Sequence, residues 1–374
     1  MRDVLAERLL AEVMHWTPED VTRERPVLQA MATYKYDSYQ QFSPGMRFVE
    51  SLGSWLAQFE TPQERQLAYR LVRSELVFVS AAEMAHFVSM AYPDYIRPLL
   101  FRICANDAHW PERTLGGLAR STEFRTLLRQ SLFLGLSDGA HIDLFRRTSR
   151  EVSHEQIWQT YDLSEPRAAE MLARLAQDLE HLLGRKPTRD EKEFRVLFLL
   201  DDFSGSGLSY FREEAEGTGY SGKVYKILDK LHSDERLKGL VDPADLYVGV
   251  VLYVASTRAI KHIEECARAW LAAQGSSARC TVLAVQEIPD SVRLDPKKAP
   301  QTISLLKSYF DDGIVDEHYR KGKHEKPYLG FDECALPLVL EHNTPNNSVP
   351  LLWFEEHRKY KGAFPRVSRH RGER

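Results

Sequence analysis

Hydrophobic and polar positions predict short buried strands that alternate with amphipathic helices from residue 113 onward. The apolar run Val196–Leu200 has a length that suits a strand buried on both faces. Leu132–Leu136, Leu246–Ala255 and Cys280–Val285 are further strand-like runs, and a helix is predicted from residue 256 to Ala273. Strands that alternate with helices predict a parallel sheet with right-handed crossovers and helices on both faces, so the expected fold class is α/β.

The first 112 residues have a mostly helical pattern. Thr61–Glu64 and Ser80–Glu83 both have the form of a capping box, which opens a helix. A helix-turn-helix would need Arg, Lys, Asn or Gln on its recognition helix, and Ala81–Tyr92 contains none of these. We therefore predict a helical packing domain over 1–112, followed by an α/β domain over 113–354.

Composition narrows the class of protein. A net charge of −4 provides no global basic field that would attract nucleic acid. The four cysteines are widely spaced and form no CxxC pair, which favours buried thiols in a reducing compartment. The amino terminus lacks the apolar core of a secretory signal, and no apolar run approaches the length of a membrane span. We expect a cytoplasmic protein with no membrane partner.

Two segments do not fit the pattern of alternating strands and helices. Residues 212–245 form a charged, glycine-bearing insertion that is too long for an ordinary connection, which makes it a candidate lid. Residues 355–374 carry seven Lys/Arg against three Glu, which predicts a basic, flexible tail. Such a tail is usually a solvated chain end, and a contact with nucleic acid is the alternative interpretation.

The candidate ligand-binding residues are concentrated directly after the run Val196–Leu200. Asp201 and Asp202 follow it at once, at the carboxyl end of a strand, where ligands bind in open α/β sheets. A turn of small residues comes next, and its backbone N–H groups and hydroxyls suit an anion at the start of a helix. The candidate anion-binding residues are Ser204, Gly205, Ser206, Gly207, Leu208 and Ser209. The alternative is an ordinary connection between a strand and a helix.

Two other known motifs match this part of the chain less well. A nucleophile elbow needs glycine two residues before its serine, and position 204 holds Ser. Gly217–Val224 approaches a phosphate-binding P-loop, but Val224 replaces the hydroxyl residue that binds Mg²⁺, and no strand precedes the segment. We interpret it as a surface loop, and the alternative in which Lys223 contacts a phosphate stays open.

The stretch after Val196 resembles the 5-phosphoribosyl-1-pyrophosphate (PRPP) loop of type I phosphoribosyltransferases. That motif has four apolar residues, two acids, an apolar residue, two variable positions and Thr-Gly-x-Thr. The matching positions here are Asp201, Asp202, Phe203, Ser206, Gly207 and Ser209, with serine in place of both threonines. The resemblance implies that the two acids hold the ribose 2′- and 3′-hydroxyls and that the loop holds the 5′-phosphate.

The resemblance also assigns an earlier strand end, and the residues of a late turn form a further candidate site. A loop that binds pyrophosphate is expected after Leu132–Leu136, at Ser137, Asp138, Gly139 and Ala140, with Arg146 as a phosphate-binding arginine. For Arg146, a solvated helix face is the alternative. Asn346 and Asn347 lie in an Asn-rich turn whose amides suit readout of a base, and turn formation is the alternative there.

These three motifs occur in the same order in the phosphoribosyltransferase-like family of prokaryotic conflict systems, which includes proteins that accompany the reverse transcriptases of retrons. The resemblance implies a type I phosphoribosyltransferase-like fold, a PRPP or phosphoribosyl nucleotide ligand, and Mg²⁺ bound through the pyrophosphate. It also implies action at the ribose C1 in antiphage defence, and a reverse transcriptase–nucleic acid complex as partner. The alternative function is a catalytically inactive module that senses a nucleotide and regulates a partner.

Overall fold

The computed structural model describes residues 2–107, 115–159, 164–214, 219–234, 237, 239–241 and 246–366. Met84–Ile288 form one compact unit, and Met1–Glu83 with Pro289–Arg374 form a second. The strands are β1 (Val77–Val79), β2 (Ser131–Gly135), β3 (Ile157–Gln159), β4 (Val196–Ser204), β5 (Arg212–Glu213), β6 (Tyr220–Ser221), β7 (Tyr247–Ser256), β8 (Arg279–Ile288) and β9 (Leu338–Leu340). The α-helices are α1 (Arg2–Met14), α2 (Pro18–Tyr34), α3 (Phe48–Leu56), α4 (Pro62–Arg70), α5 (Ala81–Met90), α6 (Arg97–Asp107), α7 (Leu115–Leu118), α8 (Thr122–Arg129), α9 (Ile142–Thr148), α10 (Glu165–Leu183), α11 (Lys223–Ser233), α12 (Thr257–Ala273), α13 (Pro300–Ser308) and α14 (Pro350–Trp353).

The unit Met84–Ile288, termed the sheet unit, is built on a five-stranded sheet in the order β3-β2-β4-β7-β8. Every neighbouring pair of strands in this sheet is parallel. The central strand β4 pairs with β2 on one side and with β7 on the other. The predicted α/β fold class with a parallel sheet is confirmed.

Helices cover both faces of this sheet because successive strand residues point to opposite sides. On one face, Leu199 belongs to a buried cluster that includes apolar residues of α10, α11 and α12. On the other face, the rings of Phe133 and Phe198 stack with their centroids 5.1 Å apart. Phe133 also packs against Phe145 of α9, at 5.5 Å. Strands buried on both faces explain why their sequences are continuous apolar runs.

The second unit, termed the terminal unit, joins the two ends of the chain. β1 pairs with β9 in parallel, so that Val77 lies opposite Leu338. The indole Nε1 of Trp55 in α3 donates to the carbonyl oxygen of Leu351, at 2.9 Å. Phe364 is fully buried, and its ring stacks on that of Phe48 at 5.8 Å between centroids. Residues close to the carboxyl terminus therefore complete the core formed by the first helices.

This division differs from the boundaries predicted at residues 112 and 354. Residues 289–354 belong with the amino-terminal helices because strand pairing and aromatic packing join them, and neither is visible as a change in composition. Residues 355–366 are also packed, in contrast to the expected flexible tail. Ala363 is buried, and the Phe364 N–H donates to the carbonyl oxygen of Leu352 at 2.7 Å. The remainder of that expected tail, residues 367–374, lies outside the described residues.

The described part of the insertion 212–245 is structured, unlike the lid expected from its length. β5 and β6 pair in an antiparallel hairpin. Helix α11 follows, and its residues Val224, Ile227, Leu228 and Leu231 are buried in the core of the sheet unit. Their spacing places them on one helix face, which explains why this charged segment packs. A three-residue edge strand, β3, was not predicted, since so short a run has little apolar pattern. No helix in the described part of the chain is long and apolar enough to cross a membrane.

Candidate functional site

The acid pair lies in β4 itself, near its carboxyl end. β4 continues to Ser204 rather than ending at the predicted Leu200. Because side chains alternate along a strand, Asp201 and Asp202 point to opposite faces of the sheet. Asp201 is 0% exposed, and Asp202 is partly buried. The two carboxylates therefore have different environments and are not interchangeable.

Both carboxylate oxygens of Asp201 are occupied by protein groups. The Ser137 hydroxyl donates to Oδ1, and the Asp202 N–H donates to the same oxygen at 3.2 Å. The Tyr210 hydroxyl donates to Oδ2 at 2.8 Å, and the Lys223 ammonium lies 2.5 Å from Oδ2. Burial and the neighbouring Asp202 raise the pKa of Asp201, against the opposite effects of Lys223 and Ser137. Asp201 thus joins three segments of the chain.

Tyr210 stays a hydrogen-bond donor in this arrangement. It is buried in the core, and its hydroxyl also lies 2.8 Å from the carbonyl oxygen of Phe203. Burial, followed by the charge of Asp201, raises the pKa of Tyr210 well above its ordinary value. A protonated phenol beside Asp201 compensates part of the cost of burying that carboxylate.

Asp202 meets the loop that follows β2. Its Oδ1 accepts from the Phe203 N–H at 2.8 Å. A Cβ at Gly139 would lie 2.6 Å from the carboxyl carbon of Asp202, so this backbone approaches the carboxylate more closely than a side chain allows. The carboxyl ends of β2 and β4 are adjacent, with the Leu136 N–H bound to the Leu200 carbonyl at 2.9 Å. The structure therefore brings together the predicted acid pair and the predicted pyrophosphate loop.

The loop after β2 is a short helical turn that is fixed by contacts with the sheet. Asp138–Ala140 form one 3-10 turn, in which Asp138 is exposed and Ala140 is fully buried. The Tyr253 hydroxyl, from β7, donates to the Ala140 carbonyl at 2.6 Å. His141 then adopts a left-handed conformation with φ of 47°, which turns the chain into α9. These contacts hold the backbone of the turn beside Asp202.

Arg146 does not contact the acid pair. It lies in the last turn of the seven-residue helix α9 and is partly exposed. Its guanidinium pairs with Asp143 at 3.3 Å, three residues earlier on the same helix. This geometry fits the solvated helix face that the sequence left open for Arg146.

The loop Ser204–Ser209 forms a compact turn. The Ser204 hydroxyl accepts from the Gly207 N–H at 3.1 Å, and the Ser206 hydroxyl accepts from the Leu208 N–H at 3.3 Å. The Ser256 hydroxyl at the end of β7 donates to the Gly205 carbonyl at 2.6 Å. Each loop hydroxyl that accepts one bond keeps its own O–H for another acceptor. Ser204 and Ser206 are buried, so the hydroxyl that an anion would meet at the surface of this formed turn is that of the exposed Ser209.

The expectation that this loop opens a helix is wrong. After the loop, buried Tyr210 and Phe211 lead into β5, and the next helix begins at Lys223. The chain turns inward because Tyr210 reaches Asp201. The amino-terminal N–H groups of α11 are used by this turn, since those of Lys223 and Val224 donate to the Ser209 and Tyr210 carbonyls at 3.0 Å each.

Sequence reasoning missed the contacts that Tyr210, Lys223 and Ser256 make here. Lys223 had one signal, the near-match to a P-loop, and the structure places its ammonium on the carboxylate of Asp201. Ser256 was recognised only as the start of a helix, where its hydroxyl accepts from the Ala259 N–H at 3.0 Å. Tyr210 had no signal beyond its position after the loop. The contacts of Lys223 and Ser256 join segments that are 22 and 51 residues apart, whereas those of Tyr210 depend on how the loop folds back on β4.

Asn346 and Asn347 belong to the terminal unit. Asn347 is 7% exposed, and its side-chain amide lies 3.4 Å from the Phe331 carbonyl and 3.4 Å from Cys334 Sγ. The Asn346 carbonyl accepts from the Phe331 N–H at 2.7 Å. The contacts of Asn347 are those of a packed turn, which is the alternative interpretation that the sequence offered.

We expect Asn347→Ala to destabilise the terminal unit. The substitution removes a buried amide and leaves its acceptors without that donor, which costs about 1–3 kcal/mol. Chemical denaturation should show the loss. Asn346→Ala is the matched control, because Asn346 contributes through its backbone carbonyl, which alanine retains. Equal stability of the two variants would contradict this packing role.

Comparison of the chain with models of known protein families identifies its family. The family model described as PRTase-CE matches residues 52–366, which include the acid pair and both loops. The chain belongs to the PRTase-CE family. This is a phosphoribosyltransferase-type family, in agreement with the resemblance found in the sequence. No curated protein matches the chain, and no solved structure matches it either. Membership of the PRTase-CE family supports a phosphoribosyltransferase-like function.

Proposed function

We propose that this PRTase-CE protein binds PRPP or a related phosphoribosyl nucleotide at the carboxyl ends of β2 and β4. The observation that carries the proposal is the meeting of two loops at the acid pair. Ser137 donates to Asp201, and the backbone of Gly139 lies against the carboxylate of Asp202. Strand ends that converge in this way form the usual ligand site of open α/β sheets.

Each part of the ligand has a corresponding group. Asp202 would accept hydrogen bonds from the ribose 2′- and 3′-hydroxyls, and the loop Ser204–Ser209 would hold the 5′-phosphate. The turn Ser137–Ala140 would face the pyrophosphate. In the reaction, the bond between C1 and the pyrophosphate oxygen breaks, the pyrophosphate leaves with the electron pair, and an acceptor attacks C1. Positive charge on the ribose ring would be stabilised by the nearby carboxylate.

Mg²⁺ would reach this site through the ligand. Among the described residues, no three His, Cys, Asp or Glu side chains form a cage for a metal ion. Mg²⁺ is commonly held by one or two carboxylates together with phosphate oxygens, so the partly buried Asp202 is a suitable neighbour. When bound, the ion would neutralise charge on the departing pyrophosphate.

A second candidate function is a nucleotide-sensing module without turnover. The observation that favours it is Asp201, whose two oxygens are both engaged by Ser137, Tyr210 and Lys223. A site with one acid committed to internal contacts can bind ribose through the other and perform no chemistry. Under this alternative, the ligand would change how the protein binds a partner.

The deciding experiment is incubation of purified protein with PRPP and Mg²⁺, followed by phosphorus NMR. Release of pyrophosphate above that of an Asp202→Asn control supports the enzyme. Binding of PRPP in calorimetry without release supports the sensing module. Absence of binding would overturn both.

The proposed biological role rests on the resemblance to proteins of conflict systems. We propose a role in antiphage defence of the retron type, with a reverse transcriptase–nucleic acid complex as partner. Co-purification from cells that express both components, with and without nuclease treatment, tests the partner. Phage challenge of cells that carry Asp202→Asn tests whether the site is needed for protection, and full protection would contradict the role.

We expect Gly139→Ala to weaken binding of ribose 5-phosphate by roughly tenfold or more, because a methyl group would displace the Asp202 carboxylate from its ligand. Stability should change little, since the clash is with a side chain that can move. Gly116→Ala is the matched control, because a Cβ there has nothing within 4 Å. Calorimetry on both variants measures the difference, and equal affinities would show that Asp202 does not contact the ligand.

A further inference from the structure

Lys223 occupies a central position beside the acid pair that the proposed function leaves unexplained. Its Nζ lies 2.5 Å from Oδ2 of Asp201. The ammonium also lies over the ring of Tyr210, 5.2 Å from its centroid. Two contacts with buried groups, one ionic and one cation–π, therefore fix the head of this long side chain in one place.

The backbone of Lys223 is fixed at the other end. Its N–H donates to the carbonyl oxygen of Ser209 at 3.0 Å, and Ser209 is the last residue of the predicted phosphate loop. Gly222, just before it, has φ of 121°, and a Cβ there would lie 2.3 Å from the Tyr210 carbonyl oxygen. The close approach that only glycine allows holds the start of α11 against this loop. The Lys223 side chain thus extends from the end of the phosphate loop to Asp201.

The ammonium has capacity for a further acceptor. Its side chain is 38% exposed, whereas Asp201 is fully buried. An ammonium carries three N–H donors, and Asp201 takes one of them. A partly exposed cation next to the exposed hydroxyl residue Ser209 is suited to a phosphate, which accepts charge-assisted hydrogen bonds.

We propose that Lys223 is a ligand-binding residue whose ammonium contacts the phosphate of the phosphoribosyl ligand, and that Asp201 is the positioning residue that holds it there. This inference rests on the proposed function and assigns the two acids different tasks. Asp202 accepts hydrogen bonds from the sugar hydroxyls, and Asp201 holds the ammonium of Lys223. It also explains the electrostatics, since Lys223 neutralises the charge of the buried Asp201 carboxylate, which would otherwise repel an anionic ligand.

The test compares calorimetric affinities for ribose 5-phosphate. We expect Lys223→Met to lose roughly 10- to 100-fold in affinity, as for the loss of a hydrogen bond to a charged group. Lys223→Arg should retain most of the binding. Lys226→Met is the matched control, because Lys226 lies on the same helix, is exposed, and carries the same charge. If Lys223→Met fails to fold, Lys223→Gln replaces it, since the amide still donates to Asp201.

A double-mutant cycle separates contact with the ligand from simple neutralisation of Asp201. If Lys223 acts only as a counterion, the Asp201→Asn/Lys223→Met double variant carries neither charge and should bind as tightly as the wild type, which would overturn the inference. If Lys223 contacts the phosphate, the double variant lacks that contact and we expect it to bind as weakly as Lys223→Met. Equal affinities of the Lys223→Met and Lys226→Met variants would also overturn it.

The same data separate this inference from the proposed function. Wild-type protein that binds no ribose 5-phosphate would remove the proposed site altogether. Wild-type protein that binds it, with no effect of Lys223→Met, would leave the site in place and reject Lys223 alone. Undetectable binding by Asp201→Asn alone would assign Asp201 to the ligand directly, and would reject its role as a positioning residue.

Discussion

Asp202→Asn is expected to reduce affinity for ribose 5-phosphate by roughly 10- to 100-fold and to leave the fold intact. The carboxylate would accept hydrogen bonds from two ribose hydroxyls, asparagine can accept only one of them, and the loss of one bond to a charged group costs about 1.5–3 kcal/mol. Asparagine keeps the shape of the side chain and one acceptor oxygen, so the contact of Oδ1 with the Phe203 N–H can persist. Calorimetry gives the affinity, and a thermal melt checks the fold.

Asp201→Asn is the informative comparison, because its oxygens bind protein groups. We expect this variant to lose about tenfold at most in affinity, through a less well positioned Lys223. A larger loss in Asp201→Asn than in Asp202→Asn would reverse the division of tasks between the two acids. Unchanged affinity in both variants would exclude the acid pair as the ribose site.

Gly207→Val is expected to destabilise the sheet unit by about 3 kcal/mol or more. Gly207 has φ of +85°, and a side chain in this left-handed region costs about 1–2 kcal/mol. A Cβ would also lie 2.8 Å from Cδ2 of His262 and 3.1 Å from the Ala259 carbonyl oxygen. His262 cannot move away freely, since its Nε2 lies 2.8 Å from the Phe211 carbonyl. Overpacking of this kind adds about 1–3 kcal/mol.

Gly184→Val separates the two contributions to that loss. Gly184 also has a positive φ, at +66°, and a Cβ there would meet nothing within 4 Å. This control should therefore show the conformational cost alone, and the difference between the variants measures the steric cost. Denaturant titration followed by circular dichroism gives both values. Equal losses would show that α12 does not pack against the loop as described.

The position of Gly207 also determines how a loss of phosphate binding in the Gly207→Val variant should be interpreted. A valine there points at α12, not into a cradle for a phosphate. Lost binding in this variant would follow from a displaced loop. Ser209→Ala is the cleaner probe of phosphate binding, since Ser209 is exposed and its carbonyl, which binds the Lys223 N–H, is retained.

The strands and the place of the site could be predicted from the sequence. The runs that became β2, β4 and β7 are continuous and apolar, because the inner strands of a parallel sheet covered on both faces bury almost every residue. Polar residues directly after such a run can lie only at its carboxyl end. The pair Asp201 and Asp202 therefore indicated the site before any contact was known.

The partners of those residues were decided by tertiary structure. Asp201 binds Ser137, which comes 64 residues earlier, and Lys223, which comes 22 residues later. Neither separation has a periodicity that local patterns could reveal. The division of the chain into units has the same origin, since β1 and β9 are joined by backbone pairing between opposite ends of the chain.

By itself, then, the sequence determined the α/β class, the main strands and the acid pair with its loop, because burial and backbone conformation act over a few neighbouring residues. Only the tertiary structure decided that Asp201 is buried and Asp202 is partly open. Alternation along β4 sends the two carboxylates to opposite faces, and each face is covered by a different segment. Which segment covers a face depends on packing between elements far apart in the chain, and no local pattern records it.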